Sequence, residues 1–147
     1  GVWNKGVGIY IQMMMAAQNY GELTDGWHLW ARLHILEREF TNAIKNEQTW
    51  ELKKSGLGFS DYTLEEAKGA SNSDFMLIAL SHGAQLDYTQ YFEMWGLNNT
   101  DKAKQQVNNM LHSVVPKVFF ASGQKTYCET FDHATINVDG TSIWPVD

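Results

Sequence analysis

The apolar residues at the start of the chain recur with the period of an α-helix. Residues 6–19 carry two apolar stripes, so the predicted helix is hydrophobic on nearly every side. A helix of that kind is usually buried between neighbouring elements. Asn19, Tyr20 and Gly21 then provide a stop signal. The pattern therefore predicts that this segment is a core helix.

A second helix is predicted over residues 26–40, with Thr24 or Asp25 as its cap. Its core face is formed by residues three and four positions apart: Leu29, Leu33, Leu36 and Phe40. Two further faces carry other residues: Trp27, Ala31, His34 and Arg38 on one, and the polar His28, Arg32 and Glu39 on the other. Because Trp27 and Ala31 do not suit a solvated face, we expect this helix to lie between the core and a second feature such as a cleft.

The polar segment 41–54 is compatible with a helix and is predicted to be exposed, and residues 55–58 are predicted to be a loop. Thr63 and Glu66 match a capping box for a short helix that ends at Gly69.

The segment from Asp74 to Leu97, DFMLIALSHGAQLDYTQYFEMWGL, predicts two helices. The first begins at Ser71 or Ser73 and breaks near Gly83. The second covers residues 88–95, with Asp87 and Gln90 as a capping pair and Gly96 as its end. Thr100 and Asp101 then begin a helix that runs to about residue 113.

A change to β-structure is predicted after Pro116. Residues 118–120, 126–128 and 135–138 are predicted strands, and Asp139-Gly140 is a hairpin-type turn before a returning strand at 142–144. The predicted fold class is therefore mainly α: an irregular helical bundle over residues 1–115, and a small β-hairpin appendage over residues 116–147 that packs on it.

The overall charge and the apolar run lengths exclude two classes of partner. The net charge is −6 and the basic residues form no dense patch, which argues against nucleic acid as a partner. The apolar run at 7–17 is interrupted by Gln12 and is shorter than the roughly 20 residues of a transmembrane helix. It also lacks the flanks of a signal peptide. The single Cys128 excludes an intrachain disulfide and a four-Cys zinc module, and leaves the cellular compartment open.

The five histidines, residues 28, 34, 82, 112 and 133, do not form a zinc-binding His-Glu-x-x-His motif. His34 and Glu37 are three residues apart and are interpreted as an ordinary contact. His82 follows an apolar run and is interpreted as a core or helix-end residue. From the residues alone we predict no catalytic residue and no metal ligand in this chain.

Two stretches in this order resemble a known family. The first is GIYIQMMM from Gly8, followed by GWHLWARL from Gly26, and the second is the segment from Phe75 to Leu97. Together they resemble the C-terminal helical part of the enhancin-like zinc metallopeptidases, the M-sixty-like family. In that family a Tyr-Ile-Gln helix precedes a Gly-Trp helix, and an apolar Ser-x-x-x-Gln/Asn-Leu segment later leads into Tyr/Phe-Phe-x-x-Trp-Gly.

The resemblance implies a function for a longer protein. Secreted bacterial members, including the accessory-colonisation-factor type, attack glycoproteins such as mucins through a zinc ion that polarises the scissile carbonyl and activates water. The zinc-binding helix of the family precedes the Tyr-Ile-Gln helix, so the zinc site is expected N-terminal to Gly1. This chain alone is then expected to be inactive and to contain no zinc. Its expected partners are the rest of the peptidase domain and a glycoprotein substrate, at the cell surface or outside the cell.

The resemblance also implies that Tyr10, Trp27 and His28 approach the cleft of the whole enzyme, because they lie at the beginning of helices packed behind it. The alternative is a non-catalytic module that binds glycans or proteins through exposed aromatic residues: Trp3, Trp27, Trp50 and Trp144. A third possibility is a cytosolic helical domain whose likeness to the family is accidental.

Overall fold

The computed structural model describes residues 2–120, 135–139 and 141, with the side chains of residues 2–7 excepted. The α-helices are α1 (Val2–Tyr20), α2 (Trp27–Ala43), α3 (Glu47–Lys53), α4 (Leu64–Lys68), α5 (Asn72–Ala84), α6 (Thr89–Met94) and α7 (Asp101–Asn109). The strands are β1 (Leu86–Asp87), β2 (Ser113–Val114), β3 (Val118–Phe120) and β4 (Thr135–Asn137). The predicted fold class, mainly α with a small β element towards the C-terminus, is confirmed.

Helix α5 lies at the centre of the fold, between α2 and α7. Its sequence is apolar on most sides, and its fully buried residues include Leu77, Ile78 and Ala79, which point in different directions around the axis. Ser71 caps the helix by accepting a hydrogen bond from the Asp74 amide. A helix with no solvent face requires neighbours on every side, and this requirement organises the other helices around it.

The prediction that residues 41–54 are exposed is wrong at Trp50. Helix α2 continues to Ala43, and Asn46 caps α3 by accepting a hydrogen bond from the Thr49 amide. Trp50 is fully buried, and its Nε1 donates to the carbonyl oxygen of Tyr62 at 2.9 Å. The apolar residues of α3, Trp50 and Leu52, are two positions apart and do not form a helical stripe, so the sequence pattern did not reveal this contact.

Several predicted caps are confirmed. The capping box of Thr63 and Glu66 forms in both directions, and the Thr100 hydroxyl accepts from the Ala103 amide at the start of α7. Gly96 has φ of +72°, and the Leu97 amide bonds to the Phe92 carbonyl, which closes α6.

The predicted break near Gly83 is confirmed, since α5 ends at Ala84 and Gln85 follows it in the left-handed conformation with φ of +55°. The predicted capping pair of α6 is wrong. Asp87 Oδ1 accepts from the Thr89 amide, but the residue before the helix is Tyr88, which provides no side-chain cap, and the Gln90 side chain donates to the Val115 carbonyl. Helix α7 ends at Asn109, four residues earlier than predicted.

The strands form two short pairs. Strand β1 runs parallel to β2, a pairing that the sequence did not predict, and β3 runs antiparallel to β4 with Phe119 opposite Ile136. The predicted strands at 126–128 and 142–144 and the position of Gly140 lie outside the described residues. The division of the chain at 115/116 stays a prediction.

The Gln12 side chain joins α1 to β3. Its Nε2 donates to the Phe120 carbonyl at 2.9 Å, and its Oε1 accepts from the Phe120 amide at 2.8 Å. The amide side chain thus occupies the place of a neighbouring strand at this position of β3. Both residues are buried, so each bond satisfies a group that water does not reach.

In the part of the chain that the structure describes, no helix combines the length and the apolar character needed to cross a membrane.

Replacing Gln12 by Leu is expected to lower the free energy of unfolding by about 2–4 kcal/mol, because two buried backbone groups of Phe120 lose their partners. Urea unfolding and the exchange rate of the Phe120 amide measure the effect. The matched control is Gln105→Leu, which should change stability by less than about 0.5 kcal/mol, because the Gln105 side chain is exposed and, among the described residues, bonds to the side chain of Asn109 alone. Unchanged protection of the Phe120 amide in Gln12→Leu would contradict this role.

Candidate functional site

Three rings form a contact series on the outer surface of α1 and α2. Tyr10 and Trp30 meet edge to face with their centroids 5.0 Å apart, and Trp30 meets His34 in the same geometry at 5.1 Å. Trp30 is 36% exposed and His34 is exposed, so the series borders solvent. Edge-to-face contacts hold the rings on two rigid helices, which makes this surface preorganised.

Two predicted cleft residues lie at the beginning of α2. Trp27 is 50% exposed, and its amide donates to Asp25 Oδ1 at 2.9 Å. The His28 Nε2 lies 3.8 Å from Asp25 Oδ2, and both side chains are largely exposed. Asp25 therefore stabilises the turn before α2, but the predicted cap at Thr24 or Asp25 is wrong, because the N-cap position is Gly26 and has no side-chain cap hydrogen bond. The three predicted cleft residues are Tyr10, Trp27 and His28. Tyr10 contacts Trp30. Trp27 and His28 are consecutive residues of α2, so their side chains leave the helix about 100° apart.

A pocket of about 340 Å³ lies beside Tyr10. Its lining comes from α1, the beginning of α5 and the end of α6: Ile9, Tyr10, Met13, Asn72, Ser73, Met76, Phe92 and Leu97. Sequence reasoning missed this pocket because its residues come from distant parts of the chain. Tyr10 belongs both to the pocket and to the ring series.

Among the described residues, no three His, Cys, Asp or Glu side chains come close enough to hold a metal ion. His28 and His34 lie on the α2 surface, and His82 is bonded to a backbone carbonyl. These residues therefore do not fit a zinc site. Cys128 and His133 lie outside the described residues, and the expectation of no metal ligand in the chain stays a prediction.

Residues 81–83, the Ser-His-Gly segment, have structural contacts. The Ser81 hydroxyl accepts from the Tyr88 amide, and His82 Nε2 lies 2.8 Å from the Gly56 carbonyl oxygen. A Cβ on Gly83 would lie 3.3 Å from a methyl group of Leu29, so the glycine permits the close approach of α2 to α5. No acid, base and nucleophile set surrounds His82 among its described contacts.

Asp74 holds the beginning of α7 against α5. It is 3% exposed, and its carboxylate accepts from the Thr100 amide at 3.0 Å, the Thr100 hydroxyl at 2.6 Å and the Asn99 amide group at 3.2 Å. Burial raises the pKa of the Tyr62 phenol to about 12, and repulsion by the carboxylates of Asp74 and Glu66 contributes to the increase.

The alternative function, a module that binds glycans or proteins through exposed aromatic residues, named four tryptophans. The two whose side chains the structure describes lie in different environments. Trp50 is fully buried and is excluded as a stacking platform, while Trp27 is exposed. The Trp3 side chain and Trp144 lie outside the described residues.

Comparison with known proteins finds a metalloprotease whose sequence is similar to that of the chain. The "immunomodulating metalloprotease" of Pseudomonas aeruginosa PAO1 is 24% identical over 129 residues, an alignment that covers 82% of this chain and 13% of that protein. The chain therefore spans a small part of the length of its relative, and the relationship is distant. No protein-family model and no solved structure matches the chain.

Replacing Gly58 by Ala is expected to lower the free energy of unfolding by about 2–4 kcal/mol. Gly58 has φ of +87°, and a Cβ there would lie 2.8 Å from the His82 Cβ. The matched control is Gly56→Ala in the same loop, where nothing lies within 4 Å, and it should cost less than about 0.5 kcal/mol.

The double variant Gly58→Ala/His82→Gly separates the two causes, because glycine at position 82 removes the Cβ that would lie 2.8 Å from the added methyl group. It should recover the part of the loss caused by the clash, measured as a coupling energy in a double-mutant cycle with His82→Gly. A coupling energy of zero would contradict the packing of His82 against Gly58.

Alkaline pH should destabilise the protein partly through Tyr62. Because the folded pKa of about 12 exceeds the ordinary value of about 10, the folded state retains the phenol proton more strongly. This contribution is complete below about pH 10 and is lost as the pH rises towards 12. Unfolding free energies measured along this range should fall less steeply in Tyr62→Phe. Identical slopes would show that Tyr62 does not contribute.

Proposed function

We propose that this chain is the helical C-terminal part of a secreted zinc metallopeptidase of the enhancin-like type. The observation that carries the proposal is the alignment with a metalloprotease over 82% of the chain. The helical fold adds support, because the quoted stretches fall on α1, α2, α5 and α6, as the resemblance expects. The substrate class proposed with it is a glycoprotein such as mucin, outside the cell or at its surface.

In this proposal the zinc ion and its ligands belong to another part of the longer protein. The reason is the donor arrangement: the described histidines and carboxylates of this chain do not converge. The helical unit then acts as a wall and support of the catalytic cleft. Its rigid core allows that role, because α2 is fixed on its inner side by Leu29 and Leu33 while its outer side remains exposed.

Tyr10, Trp27 and His28 are proposed to lie towards the cleft. Tyr10 is half-buried at the edge of the pocket, and Trp27 and His28 begin α2 with their side chains exposed. An exposed Trp contributes apolar contact area, and His28 adds a hydrogen-bonding group that lies 3.8 Å from the Asp25 carboxylate. Trp27 and His28 are proposed to contact substrate without taking part in bond cleavage, whereas Tyr10 is proposed to form part of the wall behind them.

The zinc content of two proteins tests this proposal. The purified 147-residue chain should contain no stoichiometric zinc and should not cleave a mucin-type glycoprotein, whereas the longer natural protein should contain about one zinc per chain and cleave it. Elemental analysis and gel electrophoresis of the substrate provide the measurements. Stoichiometric zinc in the 147-residue chain that disappears in His28→Ala or His34→Ala would overturn the proposal.

A further inference from the structure

The pocket beside Tyr10 is chemically suited to an apolar group. Six of its eight lining residues are aliphatic or aromatic, and none of the eight carries a charge, although the chain has a net charge of −6. Its volume of about 340 Å³ lies at the lower end of the range for ligand pockets, roughly 300–1,000 Å³. Met13 and Met76 lie on two different walls and can adapt to the shape of an inserted group.

The Ser73 hydroxyl at the rim is committed to other partners. It donates to the Asn98 carbonyl at 2.9 Å and accepts from the Asn99 side chain at 3.1 Å. Because six of the eight lining residues are apolar, a sugar or a charged ligand in the pocket would lose more hydrogen bonds to water than it could replace, which is unfavourable. An aliphatic or aromatic side chain meets no such cost.

The pocket continues into the exposed rings through Tyr10. We define the docking face as this pocket together with Tyr10, Trp30 and His34. Aromatic residues are enriched and charged residues are depleted in the cores of protein interfaces, and Trp and Tyr often dominate the binding energy. The docking face has this composition and also contains a preformed hole for an anchoring side chain.

The partner is inferred from the greater length of the relative. This inference rests on the proposed function, in which the chain is part of a longer enzyme. The aligned region is only 13% of the Pseudomonas aeruginosa metalloprotease, so most of the polypeptide of that protein lies outside it. In the proposed function the catalytic part belongs to that other polypeptide. We propose that the docking face binds another segment of the same long polypeptide, and that an apolar side chain of that segment fills the pocket beside Tyr10. This contact fixes the helical unit against the catalytic part of the enzyme.

Photo-crosslinking in the longer natural protein tests the contact. p-Benzoylphenylalanine is placed at the exposed rim position, Asn72→p-benzoylphenylalanine, and separately at Trp30, where an aromatic ring is retained beside Tyr10. The control position is Leu52, which is 81% exposed on α3. Circular dichroism of each variant verifies folding, and the second position keeps the test valid if the first variant does not fold.

Mass spectrometry after irradiation should identify cross-links from positions 72 and 30 to a segment outside the 147 residues, and none from position 52. The inference is overturned if the docking-face positions give no more cross-linked product than position 52, or if they link only two copies of this chain.

Zinc analysis and a peptidase assay of the same longer protein separate this inference from the proposed function. Cross-links without zinc or activity would refute the proposed function and leave the docking face intact. Zinc and activity without cross-links from positions 72 and 30 would refute the docking face alone.

Discussion

The close packing of α5 against α2 is the constraint on which the rest of this structure depends. Helix α5 has no continuous polar side, so it is stable only when other elements cover most of its surface. Gly83 lets α2 approach near the end of α5, where a side chain would meet Leu29 and Leu36. Arg32 of α2 then donates to the Gly83 carbonyl at 2.7 Å and satisfies a backbone group that the helix end leaves open. Apolar burial and a helix-end hydrogen bond thus stabilise the same crossing.

The aromatic residues around this crossing form two groups with different consequences. Phe40, Trp50, Phe59 and Phe75 pack together on the inner side of α2, with ring centroids 4.9–6.0 Å apart. Tyr10, Trp30 and His34 lie on its outer side and border solvent. The inner group holds α2 in place, and the outer group therefore has a defined geometry without a covering element among the described residues. A rigid helix with an exposed aromatic surface is suited to contact with another polypeptide.

Much of the helical organisation could be predicted because its signals are local. Thr63 and Thr100 cap helices through amides three residues away, and Gly96 ends α6 within the same turn. The core face of α2 followed from the spacing of Leu29 and Leu33 alone. The candidate site could be predicted only in part. The resemblance named Tyr10 and Trp27 as cleft residues, which stays a prediction, while the pocket was missed because Ile9, Met76 and Phe92 have no relation along the sequence.

The sequence by itself determined the fold class, most helix positions and the absence of a complete zinc motif, since periodicity, caps and motif spacing depend on residues within a few positions of each other. Tertiary structure decided the burial of Trp50, the pairing of Gln12 with Phe120 and the hydrogen bond from the Gln90 side chain to the Val115 carbonyl. Each of these polar or isolated residues has a partner at least 12 positions away. A side chain of this kind can bond locally, to solvent or to a distant backbone group. Only the packed arrangement of the helices determines which of these partners is within reach.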